Sequence, residues 1–247
     1  MKETTRYVIG VDEAGRGPLA GPVSVGVVLV PANFDWNLIP GVNDSKKLSA
    51  KKREVIFERA LGLAAAGKLQ YSVQMPSAKA IDKKGIAVVI REAMAKALAE
   101  VTSQNPPRAA RGTADKSSRL NLELEKSQKG TLIGNAINTR FIGTRLNLVP
   151  GEVRVLLDGL LYAPAEFVHQ ETIVKGDAKE RVIGLASIMA KVTRDRYMEK
   201  VAKKSVYALY DFARHKGYGT LAHRTAIAKH GLSPEHRVSY CKNIKLL

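Results

Sequence analysis

Short β-branched runs alternate with longer stretches of helical period along most of the chain. Tyr7 to Val11 and Val23 to Val30 are separated by the glycine-rich AGRGPLAGP, which predicts two strands joined as a hairpin through an exposed backbone. Ser49 suits an N-cap for an amphipathic helix over Ala50 to Ala66, and Gly67 suits its stop. A strand over Leu69 to Met75 follows. From Ser77 to Glu100 the apolar positions Ile81, Ala87, Val88, Ile90, Met94 and Leu98 keep a helical period, with Gly85 a soft spot inside it. Val153 to Leu157 and Phe167 to Val174 are further strands, and an apolar-rich helix is expected from Glu180 to Lys203. Strands alternating with helices predict an α/β domain. The tail from Tyr207 to Leu247 is expected to be helical and loop-like.

The pattern breaks between Val101 and Pro150. Residues Ser103 to Ser118 are rich in Pro, Ser, Arg and Ala with no clear apolar period, which marks an insertion or a basic arm. Thr131 to Leu148 carries Leu132, Ile133, Ile137, Phe141 and Leu146, enough to pack as a helix against the domain.

Charge narrows the partner. Forty Lys and Arg against 23 Asp and Glu leave a formal charge of +17, beyond what solubility needs, and point to a polyanion. Nucleic acid is favoured over membrane, because the sequence shows neither an amphipathic anchor nor an apolar run of the ~20 residues that span a bilayer. Charge alone would fit a ribosome-associated binding protein as well as an enzyme. A single cysteine, Cys241, excludes an internal disulfide, and the start MKETTRYVIG lacks a signal-like apolar stretch, so a cytoplasmic protein is expected. The histidines at 169, 215, 223, 230 and 236 lack a cysteine pair, which argues against structural zinc.

Asp12 and Glu13 stand where the first strand turns into glycines. Adjacent carboxylates raise each other's proton affinity, and a divalent cation keeps both ionised. An isolated Asp-Glu pair fits a solvent-facing acid beside a turn cap just as readily. The arrangement recurs, however: one strand runs into Asp158-Gly159 and another into Lys175-Gly176-Asp177. Alone, Asp158 beside glycine would fit an Asx-turn. Together, acids at three strand ends, where functional groups of α/β sheets collect, form a hard oxygen set suited to Mg²⁺ or Mn²⁺. Beside a basic surface, such a site suggests phosphodiester hydrolysis with two ions roughly 4 Å apart.

The run from Gly10 to Val23, GVDEAGRGPLAGPV, closely resembles the N-terminal signature of the ribonuclease HII family. The similarity continues through Asn43 to Leu48, Leu157-Asp158-Gly159, Lys175-Gly176-Asp177, Ala186 to Arg196, His215 to Thr220, His223, and Gly231 to Arg237. These follow the family's order and cover most of the chain outside 101–150. The resemblance implies a ribonuclease H-like mixed sheet flanked by helices. It further implies a catalytic domain over 1–205, with the basic insertion at about 101–150, and a C-terminal helical extension over 206–247 that completes the substrate site.

By the same resemblance Asp12, Glu13, Asp158 and Asp177 are the catalytic, metal-binding acids, served by Mg²⁺ or Mn²⁺, two ions in all. Gly15, Arg16 and Gly17 are expected to read the 2′-hydroxyl through backbone groups, since glycine permits close approach and that hydroxyl separates RNA from DNA. Tyr218 matches the tyrosine that packs on a sugar at the RNA-to-DNA junction. Lys46 and Lys47 suit phosphate contacts, though a solvated lysine pair accounts for them too. Ser187, Lys191 and Arg194 share a helix face at i, i+4 and i+7 and are candidate substrate contacts, with an ordinary amphipathic surface as the alternative. His223, His230 and His236 are expected to be structural or phosphate-adjacent. The implied activity cuts 5′ of a ribonucleotide in RNA/DNA hybrids and in DNA duplexes carrying single ribonucleotides, as ribonucleotide excision repair needs, by a monomer. The rivals are an enzyme like ribonuclease HIII that is limited to longer hybrids, and a non-catalytic hybrid-binding protein. A transposase or resolvase on the same fold suits the Gly-Arg-Gly and Lys-Gly-Tyr-Gly-Thr elements poorly.

Overall fold

The computed structural model describes residues 5–43, 45, 47–103, 152–159 and 161–244. The helix expected over Thr131 to Leu148, the rest of the basic insertion from residue 104 onward and Lys46 lie outside them. Strands β1 (Tyr7–Ala14) and β2 (Ser24–Pro31) form the expected hairpin, paired antiparallel from Tyr7 opposite Pro31 to Ala14 opposite Ser24. Strand β3 (Gln70–Gln74) adds antiparallel to β2. Strands β4 (Val153–Asp158) and β5 (Gln170–Ile173) add parallel beyond β1, which gives the order β3-β2-β1-β4-β5. The mixed sheet and its helices have the ribonuclease H-like architecture.

Side chains alternate across this sheet. Ile9, Val11, Val25, Val27, Leu29, Val155 and Leu157 face helix α3 (Ile86–Ser103). Val8, Val28, Val30 and Leu156 face helices α1 (Ala50–Ala65) and α5 (Arg181–Ala202) on the other side. Each such burial contributes about 1.5–3 kcal/mol. Helix α5 rests almost directly on the sheet, because a Cβ on Gly10 or Gly26 would overlap the carbonyl oxygens of Val182 and Ala186. That close approach explains why two glycines sit mid-strand.

Helix α1 begins as expected, with the Ser49 hydroxyl accepting from Lys52 N–H, and stops before Gly67 at φ +66°. The expected helix over Ser77 to Glu100 is in fact two, α2 (Ala78–Lys84) and α3, broken at Gly85. Gly85 sits at φ +82°, outside helical space and open to glycine at little cost. The strand expected over Phe167 to Val174 shortens to β5, since Phe167 N–H turns back onto Pro164. After β5 come a single turn, α4 (Gly176–Lys179), and the long α5.

Beyond α5 lie a 3₁₀ segment (Ser205–Tyr210), the turn α6 (Phe212–His215) and helix α7 (Leu221–His230). Their apolar side chains, Tyr207, Tyr210, Phe212 and Ile227, pack against Ala20 and Met198, so this tail is seated on the glycine-rich hairpin loop. Among the described residues no helix is long and apolar enough to cross a membrane.

Candidate active site

Alternation along β1 sends Val8, Gly10 and Asp12 to the α5 side, and along β4 it sends Leu156 and Asp158 the same way. The parallel register sets Val11 beside Leu157, so Asp12 and Asp158 follow side by side at the carboxyl edge. β5 ends level with Asp158, and the chain then turns through Lys175, at φ 56°, into Gly176 and Asp177. Gly176 N–H donates to Asp158 Oδ1 at 2.7 Å, which ties that turn to β4. β1 continues through Asp12 and Glu13 to Ala14, so both acids lie inside the strand rather than past its end.

Asp12 is buried and braced. Its Oδ1 accepts from Glu13 N–H at 2.7 Å, and the Ser187 hydroxyl on α5 bonds the same carboxyl. Ser187 Oγ in turn lies 2.8 Å from Ser45 Oγ, a buried pair that joins the loop before α1 to α5. Burial pushes the Asp12 carboxyl up to about 8, and the charges of Glu13 and Asp158 push the same way against the Ser187 bond. Burial also raises Glu13, opposed by its ion pair with Arg16 at 3.0 Å. Asp177 is buried at the start of α4.

Among the described residues no three acidic, histidine or cysteine side chains already cage an ion. Glu13 is turned to Arg16 and Asp158 to Gly176 N–H. The Glu13–Arg16 pair is half-exposed, with Arg16 open to solvent and Glu13 largely covered, so the arginine is free to swing away. The residues nonetheless fit a hard divalent cation: the donors are all carboxylate oxygens, and Asp12 is buried beside Glu13 and Asp158, whose charges add to burial in raising its proton affinity.

Beside the acids, the loop from Gly15 to Val23 is pinned by two fully buried arginines. Arg194 Nε donates to Pro22 O at 2.8 Å and its Nη2 to Ala20 O at 3.1 Å. Arg237 donates through Nε to Gly21 O at 2.9 Å, through Nη1 to Arg16 O at 2.9 Å, and through Nη2 to Gly15 O at 2.7 Å and Pro22 O at 3.0 Å. Tyr218 stands 43% exposed, with Lys191 Nζ and the Arg194 guanidinium each 5.7 Å from its ring centre.

A chain of neutral histidines holds the Tyr218 backbone. Its carbonyl, which only accepts, lies 2.9 Å from His223 Nδ1, so that nitrogen carries the proton. His223 Nε2 then accepts from His236 Nε2 at 3.0 Å, and His236 Nδ1 accepts from Ser233 N–H at 2.8 Å.

Known proteins share this arrangement of sequence and fold. The profile of the family described as Ribonuclease HII matches residues 9–129 and 155–243. The chain belongs to the ribonuclease HII family. A ribonuclease HII of Endomicrobium trichonymphae is 37% identical over 233 residues, which is 94% of this chain and 84% of that protein. The ribonuclease H2 structure from Pyrococcus horikoshii OT3 has the same fold, with a TM-score of 0.62, 22% identity and 97% of each chain covered. A structure of Bst-RNase HIII in complex with Mn²⁺ superposes with a TM-score of 0.53 at 13% identity, over 92% of this chain and 71% of that one. As a member of the family, this enzyme is a ribonuclease H endonuclease, a metal-dependent hydrolase that acts on RNA/DNA hybrids.

Within this ribonuclease HII the expected contacts separate into two groups. Arg16, Gly17, Lys47 and Tyr218 are exposed, and Gly15 is buried beneath the loop at φ +83°. Of the three polar residues on α5, only Lys191 reaches the surface, bonded to Asp195 at 2.8 Å. Ser187 and Arg194 are buried, which departs from the expectation of substrate contact. The face they share is covered by the hairpin loop, so Ser187 touches Asp12 and Arg194 touches loop carbonyls. The sequence reading missed Ser45 and Arg237. Both lie within quoted motifs, but their partners are more than 140 residues away.

Proposed function

We propose that this enzyme hydrolyses the phosphodiester on the 5′ side of a ribonucleotide, including a single ribonucleotide within duplex DNA, and leaves 3′-hydroxyl and 5′-phosphate ends. The observation that carries the reading is the Glu13 to Arg16 contact of 3.0 Å, because it sets the acidic edge directly against the loop that meets the 2′-hydroxyl. A cut adjacent to the recognised sugar follows from that adjacency.

Asp12, Glu13, Asp158 and Asp177 would hold two divalent ions, Mg²⁺ or Mn²⁺, and the Mn²⁺ of the Bst relative is consistent with this. When bound, such ions supply an activated water and charge stabilisation at the leaving oxygen. The chain's own part is positional. Ser187, backed by Ser45, fixes the Asp12 carboxyl, and Gly176 N–H fixes Asp158. Tyr218 presents the exposed face of its ring to the sugar at the junction. Lys46, Lys47 and Lys191 take phosphates without reading sequence, and the extension over 206–247 completes the site. The enzyme acts as a monomer in the cytoplasm, in ribonucleotide removal.

The test is a labelled duplex with one ribonucleotide, incubated with Mg²⁺ or Mn²⁺ beside all-DNA and longer-hybrid controls. Cleavage at the lone ribonucleotide is expected. Cleavage confined to the longer hybrid would instead match the behaviour expected of ribonuclease HIII, and binding without cleavage would indicate a non-catalytic protein.

A further inference from the structure

The donors of Arg237 reach the two consecutive carbonyls of Gly15 and Arg16 from beneath the loop. A trans peptide holds each carbonyl antiparallel to the N–H that follows it, and the described residues contain no cis peptide. Drawing Gly15 O and Arg16 O inward therefore turns Arg16 N–H and Gly17 N–H outward. Among the described residues neither of these N–H groups donates to another backbone or side-chain acceptor. The space above Gly17 is open, with nothing within 4 Å of where a Cβ would stand.

We propose that Arg237 is a positioning residue for ribonucleotide recognition, which aims Arg16 N–H and Gly17 N–H as paired donors at the 2′-oxygen of the substrate. This inference rests on the reading that the Gly-Arg-Gly loop meets that oxygen, and adds which donors do so and what orients them. Two features single out Arg237. Its four bonds all go to carbonyls of one loop, and no carboxylate contributes to them. It also lies close enough to Arg194 for the two charges to repel, which together with burial holds its guanidinium down at about 10. A buried cation that bonds no carboxylate directly is costly, so the fixed carbonyl dipoles, with Asp82 at longer range, compensate it. Arg194 packs under Gly15 but gives its hydrogen bonds only to the far end of the loop, at Ala20 and Pro22, and so leaves the Gly15 and Arg16 carbonyls to Arg237.

Lysine at 237 keeps the charge but offers its donors from one point and cannot span these carbonyls. The test compares binding of a duplex with one ribonucleotide and its all-DNA twin by fluorescence anisotropy in EDTA. The preference of the wild type for the ribonucleotide duplex should fall about tenfold in Arg237→Lys, with all-DNA affinity unchanged. Arg194→Lys should keep most of the preference. Equal loss on both duplexes, or full retention of the preference by a folded Arg237→Lys protein, overturns the proposal. Should the variant not fold, amide NMR of the wild type decides. Arg16 and Gly17 N–H resonances should move with the ribonucleotide duplex and stay with the all-DNA one, and the absence of that difference overturns the proposal. A wild type that fails to cut at a lone ribonucleotide overturns the underlying reading instead, whatever the amides do.

Discussion

Asp158 Oδ1 accepts a 2.7 Å hydrogen bond from Gly176 N–H, which fastens the end of β4 to the turn that delivers Asp177. An asparagine keeps that acceptor while removing the charge that raises Asp12 and Glu13. Asp158→Asn is therefore expected to abolish cleavage with duplex affinity largely preserved, since binding rests on the basic surface. Relief of repulsion should also raise the metal-free melting temperature, by about 2–4 °C for each kcal/mol gained, and shrink the further rise produced by Mn²⁺. Calorimetry with and without Mn²⁺ checks both, and retained turnover would remove Asp158 from the chemistry.

The contact of α5 with the sheet predicts a sharp steric penalty. Gly10→Ala and Gly26→Ala each drive a Cβ into an α5 carbonyl, and each should destabilise by about 1–3 kcal/mol or more. Urea unfolding measures it. A cost near zero would mean that α5 is free to lift.

Tyr218 is exposed, with Lys191 Nζ and the Arg194 guanidinium each 5.7 Å from its ring centre. Tyr218→Phe keeps the packing surface and should lower kcat/KM by less than about threefold, whereas Tyr218→Ala should cost about 1–3 kcal/mol, the scale of aromatic stacking on nucleic acid. The loss should be larger on a lone ribonucleotide than on a long hybrid. Equal losses on the two substrates would remove the junction role.

His223 and His236 are pushed down to about 4, chiefly by burial, from an ordinary value near 6.5. Between those values the unfolded chain binds more protons than the native one, so their contribution is full above about pH 6.5 and is lost as pH falls toward 4. The loss is on the order of 3 kcal/mol for each histidine. Asp12, raised to about 8, titrates in the opposite sense, so urea unfolding at pH 7.5 and pH 5 should compare wild type with His236→Gln in the same buffers. The wild type should lose more stability on acidification than the variant. Parallel losses would contradict the neutral relay.

Much of this was legible in the sequence. The hairpin, the Ser49 cap and the place of Asp158 at the end of β4 follow from local pattern, because strand period and cap chemistry act over a few residues. The break at Gly85 was not, since a glycine inside a helical period can be tolerated at a cost, and only its φ of +82° decides. The helical period correctly grouped Ser187 with Arg194 on one face, but a period cannot say what covers that face. The covering loop is bonded to Arg194 across more than 170 residues and to Arg237 across more than 210. Such long-range pairing is decided by packing rather than by any local signal.

The most direct measurement is a map, at single-nucleotide resolution, of the cut made in duplex DNA carrying one ribonucleotide, with the chemistry of both new ends. The account predicts one cut immediately 5′ of the ribonucleotide that requires Mg²⁺ or Mn²⁺ and leaves a 3′-hydroxyl on the DNA and a 5′-phosphate on the ribonucleotide. An uncut duplex, or a cut on the 3′ side leaving a cyclic 2′,3′-phosphate without added metal, would contradict it.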